Sequence, residues 1–174
     1  NSGGTVMSRK TILEQTINVA ILAVCILTVY TFITHSVPFS QWRDESRFKG
    51  LALSSPPGYI WASHPETLVL ALREGCPFCE ASYPFYRKLN ELETHNGLRA
   101  HLLAVMPNDK TSGASELKSA GLTIDGVFDQ PLNSIKVTGT PTLLLVNAQG
   151  RVTQAWVGQL PSSREKDVII AAKK

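Results

Sequence analysis

Seventeen consecutive residues, Ile17 to Ile33 (INVAILAVCILTVYTFI), carry no charge, and their polar members are Asn18, two threonines and a tyrosine. A run with no polar face does not suit a helix lying on the surface of a globular core, and it fits a buried core helix poorly. Extended back to Ile12 it approaches the roughly 20 residues that cross a bilayer as a helix. The sequence therefore predicts an N-terminal transmembrane helix over 12–34, preceded by a tail over 1–11. Arg9 and Lys10 lie just outside it, and Glu14 and Gln15 lie near one interface. Tyr30 and Phe32, then Phe39 and Trp42, have the placement of the aromatic belts found at membrane–water boundaries. The residues that follow, THSVPFSQ, contain no A-x-A cleavage pattern, so the run is read as an uncleaved anchor rather than a signal peptide. Asn1–Val6, ahead of Met7, are read as an appended remnant and set aside, and Cys25 is read as a small hydrophobe inside the anchor.

The whole chain has 174 residues, enough for one ordinary domain beside such an appendage but not for two. Hydrophobic residues make up 43% and charged residues 18%; the net charge of +3 is mild and the basic residues form no run, which argues against a nucleic-acid partner. Residues 35–50 read as a linker, with Pro38 and the charged stretch RDESRFK, and Pro56-Pro57-Gly58 reads as a turn inside a domain over 51–174.

Within that domain strand and helix patterns alternate. Thr67–Leu72 (TLVLAL) and Arg99–Val105 (RAHLLAV) are short apolar runs suited to strands buried on both faces. Pro77 to about Thr94 places Ala81, Tyr86, Leu89 and Leu92 at helical spacing, and Ser112–Ala120 reads as a short helix ended by Gly121. Pro141–Val146 and Val152–Val157, joined by Asn147-Ala148-Gln149-Gly150, read as a hairpin. A last helix over Ser162–Lys173 would be capped by Ser162 or Ser163. The fold class is α/β: a β-α-β unit, a hairpin and a closing helix imply a mixed sheet flanked by helices.

Three cysteines do not make a disulfide-stapled scaffold, and with Cys25 in the apolar run one close pair remains, Cys76-Pro77-Phe78-Cys79. It sits where the first strand gives way to a helix. A helix N-terminus offers free N–H groups and partial positive charge to a thiolate, the attacking species in disulfide exchange, and Pro77 suits the first helical turn. Cys76, at the exposed tip, is the candidate nucleophile; Cys79, one turn in and buried, is the candidate for resolving a mixed disulfide. The competing reading is metal binding. Zinc would need two more ligands, whereas His64, His95 and His101 are scattered and no second C-x-x-C exists. A Cu(I) carrier using the two thiols stays open as the alternative.

Gly139-Thr140-Pro141-Thr142 opens the hairpin. C-P-x-C on a strand-to-helix junction, then G-T-P-T, then strand–turn–strand ending in Gly158, resembles the thioredoxin superfamily. The resemblance covers roughly Leu51 to Lys174. It implies a cis Thr140-Pro141 bond packed beside Cys76, with the backbone of Thr140 pairing with an extended substrate segment. Pro77 and Phe78 would complete the substrate-facing surface. Sixty-two positions separate Cys79 from Pro141, more than a minimal thioredoxin needs, and the surplus near Pro107–Gln130 has room for the helix and strand inserted in the TlpA/ResA-like branch. The G-T-P-T form and the length argue against a glutaredoxin.

Three positions depart from the family pattern. Gly75 stands where thioredoxins have tryptophan, Leu68–Leu72 lacks a buried acidic residue to take the proton of the second cysteine, and Phe78 is not the histidine of strongly oxidising relatives. The resemblance implies a thiol-disulfide oxidoreductase of middling or reducing potential, acting on protein thiols and disulfides, with no organic cofactor and no metal. It further implies a membrane-anchored protein with its domain on the extracytoplasmic side, periplasmic or cell-exterior. The oligomeric state is left open.

Overall fold

The computed structural model describes residues 9–35, 44–107 and 110–173. The first part of the expected tail (1–8), Phe39 and Trp42 of the aromatic belt, and half of the expected linker (36–43) lie outside the described residues. The chain divides into two units, 1–41 and 42–174, each considered by itself.

Among the described residues the first unit holds one helix, α1 (Arg9–His35). Its described apolar side chains, from Ile17 to Tyr30, are exposed on every side, at 50–69%. Two of its threonines bond to its own backbone: Thr28 Oγ1 donates to Cys25 O and Thr31 Oγ1 to Thr28 O, both at 2.9 Å. Among the described residues no helix is long and apolar enough to cross a membrane by the usual hydropathy measure.

The second unit is an α/β domain built on a five-stranded mixed sheet in the order β3-β2-β1-β4-β5. The strands are β1 (Glu66–Ala71), β2 (Ala100–Met106), β3 (Gly126–Asp129), β4 (Thr142–Asn147) and β5 (Val152–Val157). The helices are α2 (Pro77–Thr94), α3 (Lys110–Ser119) and α4 (Ser162–Ala172). β1, β2 and β3 run parallel, while β4 is antiparallel to both β1 and β5. Helix α3 and strand β3 occupy the surplus between the dithiol and Pro141, and β3 extends the sheet by a parallel edge strand.

Alternation within β1 divides the core in two, because successive side chains of a strand point to opposite faces. Leu68, Leu70 and Leu72 join α2, α4 and Leu117 of α3 on one face. Val69 and Ala71 face Leu103, Val105, Leu144 and Val146, with Phe48, Trp61, Leu132 and Ile135 from loops and 3-10 turns as their cover. Phe48 is fully buried and lies in a 3-10 turn, Glu45–Phe48. The last residues read as linker are therefore part of the domain. They stitch onto the outer strand: Gly50 N donates to Val152 O and Leu53 N to Gly150 O, each at 2.8 Å.

The β4–β5 turn shows why one glycine is required. Gly150 has φ +73°, and a Cβ there would lie 2.7 Å from Trp61 Cδ1 and 3.1 Å from Leu53 O. Asn147 Oδ1 accepts from Gln149 N and Arg151 N, both at 3.0 Å, which fixes the turn through a side chain that mimics backbone. One capping expectation fails. Pro161, not a serine, is the N-cap of α4, with no side-chain cap bond; its carbonyl takes the N–H groups of Arg164 and Glu165.

Candidate active site

Register in the sheet decides which loops meet. Ala71, at the end of β1, pairs with Thr142, at the start of β4. Whatever follows β1 must therefore sit beside whatever precedes β4. The first is Arg73-Glu74-Gly75-Cys76 and the second Gly139-Thr140-Pro141. Gly75 turns the chain with φ +62°, a left-handed conformation that L side chains disfavour, and Cys76 then caps α2 in an extended conformation. Pro77 occupies the first helical turn, where a missing N–H costs nothing.

The two loops converge on one sulfur. Cys76 Sγ accepts from Cys79 N at 3.3 Å and from Thr140 Oγ1 at 3.5 Å, and lies 3.9 Å from the Thr140 carbonyl oxygen. The Thr140-Pro141 bond is cis. Thr142 Oγ1 donates to Gly139 O at 2.8 Å and Gly158 N to Pro141 O at 2.7 Å, holding the loop from both sides. Both cysteines are free thiols. Cys76 is 9% exposed, less open than a residue at the tip of a loop was expected to be, and Cys79 is 0% exposed. Phe78 is 61% exposed and Pro77 is exposed beside it, an apolar rim next to the accessible sulfur.

The two thiols are electrostatically unlike. Burial works against ionisation of Cys76, but hydrogen bonds from Cys79 and Thr140 and from the backbone N–H groups of Cys79 and Phe78 outweigh it, holding this thiol below its ordinary range. Burial, reinforced by the neighbouring Cys76, pushes Cys79 up to about 12. One sulfur is thus set up as a thiolate and the other as a protonated thiol.

His64 and His101, read as scattered, are in contact. Their rings stack at 4.1 Å between centroids, against Tyr59, and His101 Nδ1 lies 2.8 Å from Glu93 Oε1. The pairing of Thr67 with His101 puts this cluster at the opposite end of β1 from the dithiol. Among the described residues no group of three His, Cys, Asp or Glu side chains could hold a metal ion. The two thiols remain the donor pair a soft ion would use.

Several interacting residues had no sequence signal of their own. Tyr83 Oη donates to Glu116 Oε1 at 2.5 Å, joining α2 to α3. Ser112 Oγ donates to Glu74 Oε1 at 3.2 Å, tying the start of α3 to the loop before Cys76. Arg47 donates to Thr138 Oγ1 at 3.1 Å beside the Gly139–Pro141 loop. Tyr83 lies four residues after Cys79, a helical neighbour, but its partner is 33 positions away and could not be named from spacing.

No curated protein sequence matches the chain. Solved structures match its fold. A thiol:disulfide interchange protein from Bacteroides sp. is 15% identical over 72% of this chain and 91% of its own, with a TM-score of 0.56. A thioredoxin-family thiol:disulfide interchange protein from Chlorobium tepidum is 17% identical over 66% and 83%, with a TM-score of 0.51. A thiol-disulfide isomerase from Corynebacterium glutamicum is 14% identical over 74% and 98%, with a TM-score of 0.51. At these identities the likeness is one of fold. The family model for the thioredoxin-like domain matches residues 61–173, which takes in both loops at the dithiol and all five strands of the sheet. The chain belongs to the thioredoxin-like domain family.

Proposed function

We propose that this protein is a membrane-anchored thiol-disulfide oxidoreductase that exchanges disulfides with protein partners through Cys76 and Cys79. The observation that carries the reading is the asymmetry of the two thiols: one slightly accessible sulfur that accepts from Cys79 N and Thr140 Oγ1, and one buried sulfur held protonated a helical turn away. A two-thiol metal carrier has no need of such a difference. The names of the structural relatives, interchange proteins and isomerases, agree with this chemistry.

In the reductive direction the Cys76 thiolate attacks a substrate disulfide. One substrate sulfur leaves as a thiolate, and Cys76 is joined to the other in a mixed disulfide. Cys79 then loses its proton and attacks Cys76 Sγ; the Cys76–Cys79 bond forms, the mixed disulfide breaks, and the second substrate thiolate takes up a proton. The protein dithiol is oxidised by two electrons and the substrate disulfide reduced by two. Thr140 presents its backbone to an extended substrate segment, and Pro77 and Phe78 give it an apolar wall.

The test is capture. Cys79→Ser should accumulate partner proteins as mixed disulfides on Cys76, and Cys76→Ser should accumulate almost none; equal capture would remove the division of labour. Titration against a glutathione series should place the Cys76–Cys79 couple between about −270 mV and about −120 mV, the span of reductants and oxidants with such motifs. A chain that never forms this disulfide but binds one Cu(I) tightly would be a copper carrier instead.

The anchor is α1. The described stretch from Ile17 to Tyr30 is shorter than a full span, but it is apolar and exposed on all faces, and Thr28 and Thr31 are hydrogen-bonded to the helix's own backbone. The uncharged sequence continues to Ile33, and such a helix suits lipid better than water. We place the domain on the extracytoplasmic face. Arg9 and Lys10 precede the helix, whereas Arg43, Arg47 and Lys49 follow it, so charge alone does not support this orientation. The support is functional: a dithiol protein working in the envelope gains retention from a tether, and a cytosolic one does not. A C-terminal alkaline phosphatase fusion should be active; an inactive one beside an active cytosolic reporter would put the domain inside.

A further inference from the structure

Resolution of the mixed disulfide requires Cys79 to give up a proton that burial holds tightly. β1 offers no acceptor beside it: its one carboxylate, Glu66, whose Oε2 is also buried without a hydrogen-bond partner among the described residues, opens the strand at the end opposite the dithiol, and Glu74 and Glu80 are exposed. A sequestered carboxylate exists on another element. Glu116, on α3, accepts the Tyr83 hydroxyl at 2.5 Å through one oxygen, while its other oxygen, Oε2, is buried without a hydrogen-bond partner among the described residues. A carboxylate oxygen withdrawn from water and left unpaired is costly. None of the salt bridges among the described residues reaches it. Such a group asks for an explanation beyond packing.

Its location supplies one. Tyr83 shares the buried face of α2 with Cys79 and Ser82 and follows Cys79 by four residues, the spacing at which side chains on one helix face are neighbours. The phenol is raised first by burial and then by its bond to Glu116, so its hydroxyl is held protonated and pointed at that carboxylate. The Ser112–Glu74 bond fastens the first turn of α3 to the loop that presents Cys76, and Glu116 follows one turn later on the same helix.

We propose that Tyr83 and Glu116 form the route by which Cys79 is deprotonated, with Tyr83 as relay and Glu116 as acceptor. The inference rests on the oxidoreductase reading above. As Cys79 Sγ approaches the mixed disulfide, its proton passes to Tyr83 Oη while the Tyr83 proton passes to Glu116 Oε1. The resulting thiolate forms the Cys76–Cys79 bond, and the displaced substrate thiolate receives the proton that Glu116 then releases. Glu116 never touches sulfur; it acts through Tyr83.

The experiment separates the two exchange steps. The reduced full chain, carrying Cys25→Ser to remove the third thiol, is mixed with the chromogenic disulfide 5,5′-dithiobis(2-nitrobenzoate) and the released thiolate is followed by stopped flow from about pH 6 to about pH 10. Attack by Cys76 releases the first equivalent and resolution by Cys79 the second. Glu116→Gln should leave the first phase unchanged and slow the second on the order of 10²-fold near pH 7, with its pH dependence displaced upward. Tyr83→Phe, which keeps the ring, should do the same and decides the matter if Glu116→Gln does not fold. A second phase with wild-type rate and pH profile in either folded variant overturns the proposal, as does equal slowing of both phases, which would mark a merely structural tie between α2 and α3. If the chain with Tyr83 and Glu116 intact shows no second phase at all, the oxidoreductase reading itself fails.

Discussion

Alkylation of the reduced chain should discriminate sharply between Cys76 and Cys79, and the size of the difference follows from their surroundings. A thiol at its ordinary value of 9.0 is about one-tenth ionised at pH 8, whereas one pushed to about 12 is ionised to about one part in 10⁴. The thousandfold deficit is partly returned, because a more basic thiolate is intrinsically more reactive; a Brønsted slope near 0.5 over three units restores about thirtyfold. Ionisation alone therefore leaves Cys79 about thirtyfold slower. The real ratio should be larger, since Cys76 lies below the ordinary range and Cys79 is fully buried. The assay is a timed pulse of iodoacetamide on the Cys25→Ser chain, quenched and read by peptide mass spectrometry at early times, before alkylation of one sulfur alters the other. The Cys79 rate should also climb about tenfold per pH unit throughout the range in which Cys76 has levelled off. Comparable initial rates at the two cysteines, or faster labelling of Cys79, would refute the account of the site as a thiolate paired with a protonated thiol.

Thr140→Val removes a hydroxyl that donates to Cys76 Sγ, so the Cys76 thiol should rise and its attack on a small disulfide at pH 7 should slow by about fivefold, the equivalent of one hydrogen bond; an unchanged titration of Cys76 would show the 3.5 Å contact to be idle. Gly139 has no atom within 4 Å of a Cβ placed on it. Gly139→Leu should therefore alter stability by less than about 0.5 kcal/mol and spare small disulfides, while slowing a protein substrate about tenfold by crowding its chain; loss of fold, or equal effects on both substrates, would contradict this. His64 is lowered by burial and by His101, so its contribution to stability is present above pH 6.5 and lost as pH falls below it. His101 is raised by its bond to Glu93, so its contribution is full below pH 6.5 and fades as pH rises through its folded value. Denaturant melts from pH 5 to pH 8 should show His64→Asn flattening the acid side and His101→Asn the alkaline side; the reverse assignment would mean that the stack is not governed by these neighbours.

The fold was largely legible because its signals are local. Continuous apolar runs marked β1 and β2, Asn147 and Gly150 marked the hairpin turn, and Cys76-Pro77 marked the start of α2 within a residue. The dithiol and the Thr140-Pro141 loop could be placed together because both motifs are contiguous and the resemblance supplied their pairing. What stayed hidden depended on partners far apart in sequence. Glu116 looked like any surface glutamate on a short helix until Tyr83 was seen to reach it. His64 and His101 looked scattered because strand register, not spacing, stacks them. Residues 44–50 read as linker because charge outnumbers apolar residues there, yet Phe48 is fully buried and Glu45, Arg47 and Gly50 bond to the domain.

The stitching of residues 44–53 along β5 also bears on the order in which the domain can be completed. This segment emerges early in synthesis, but its partners come about a hundred residues later: Gly50 accepts from Arg151, and Glu45 reaches Val157 N and the Arg164 guanidinium. Until the ribosome has released those positions, Phe48 has no finished sheet to cover and the outer edge of β5 does not exist. Loop closure over such a span is slow compared with forming the β1-α2-β2 unit, whose contacts are closer in sequence. The dithiol is therefore made, and flanked by its own helix, well before the barrier that seals the far edge is in place. A nascent chain halted between these events carries reactive sulfurs on an open sheet, the condition in which unwanted pairing with other chains is easiest.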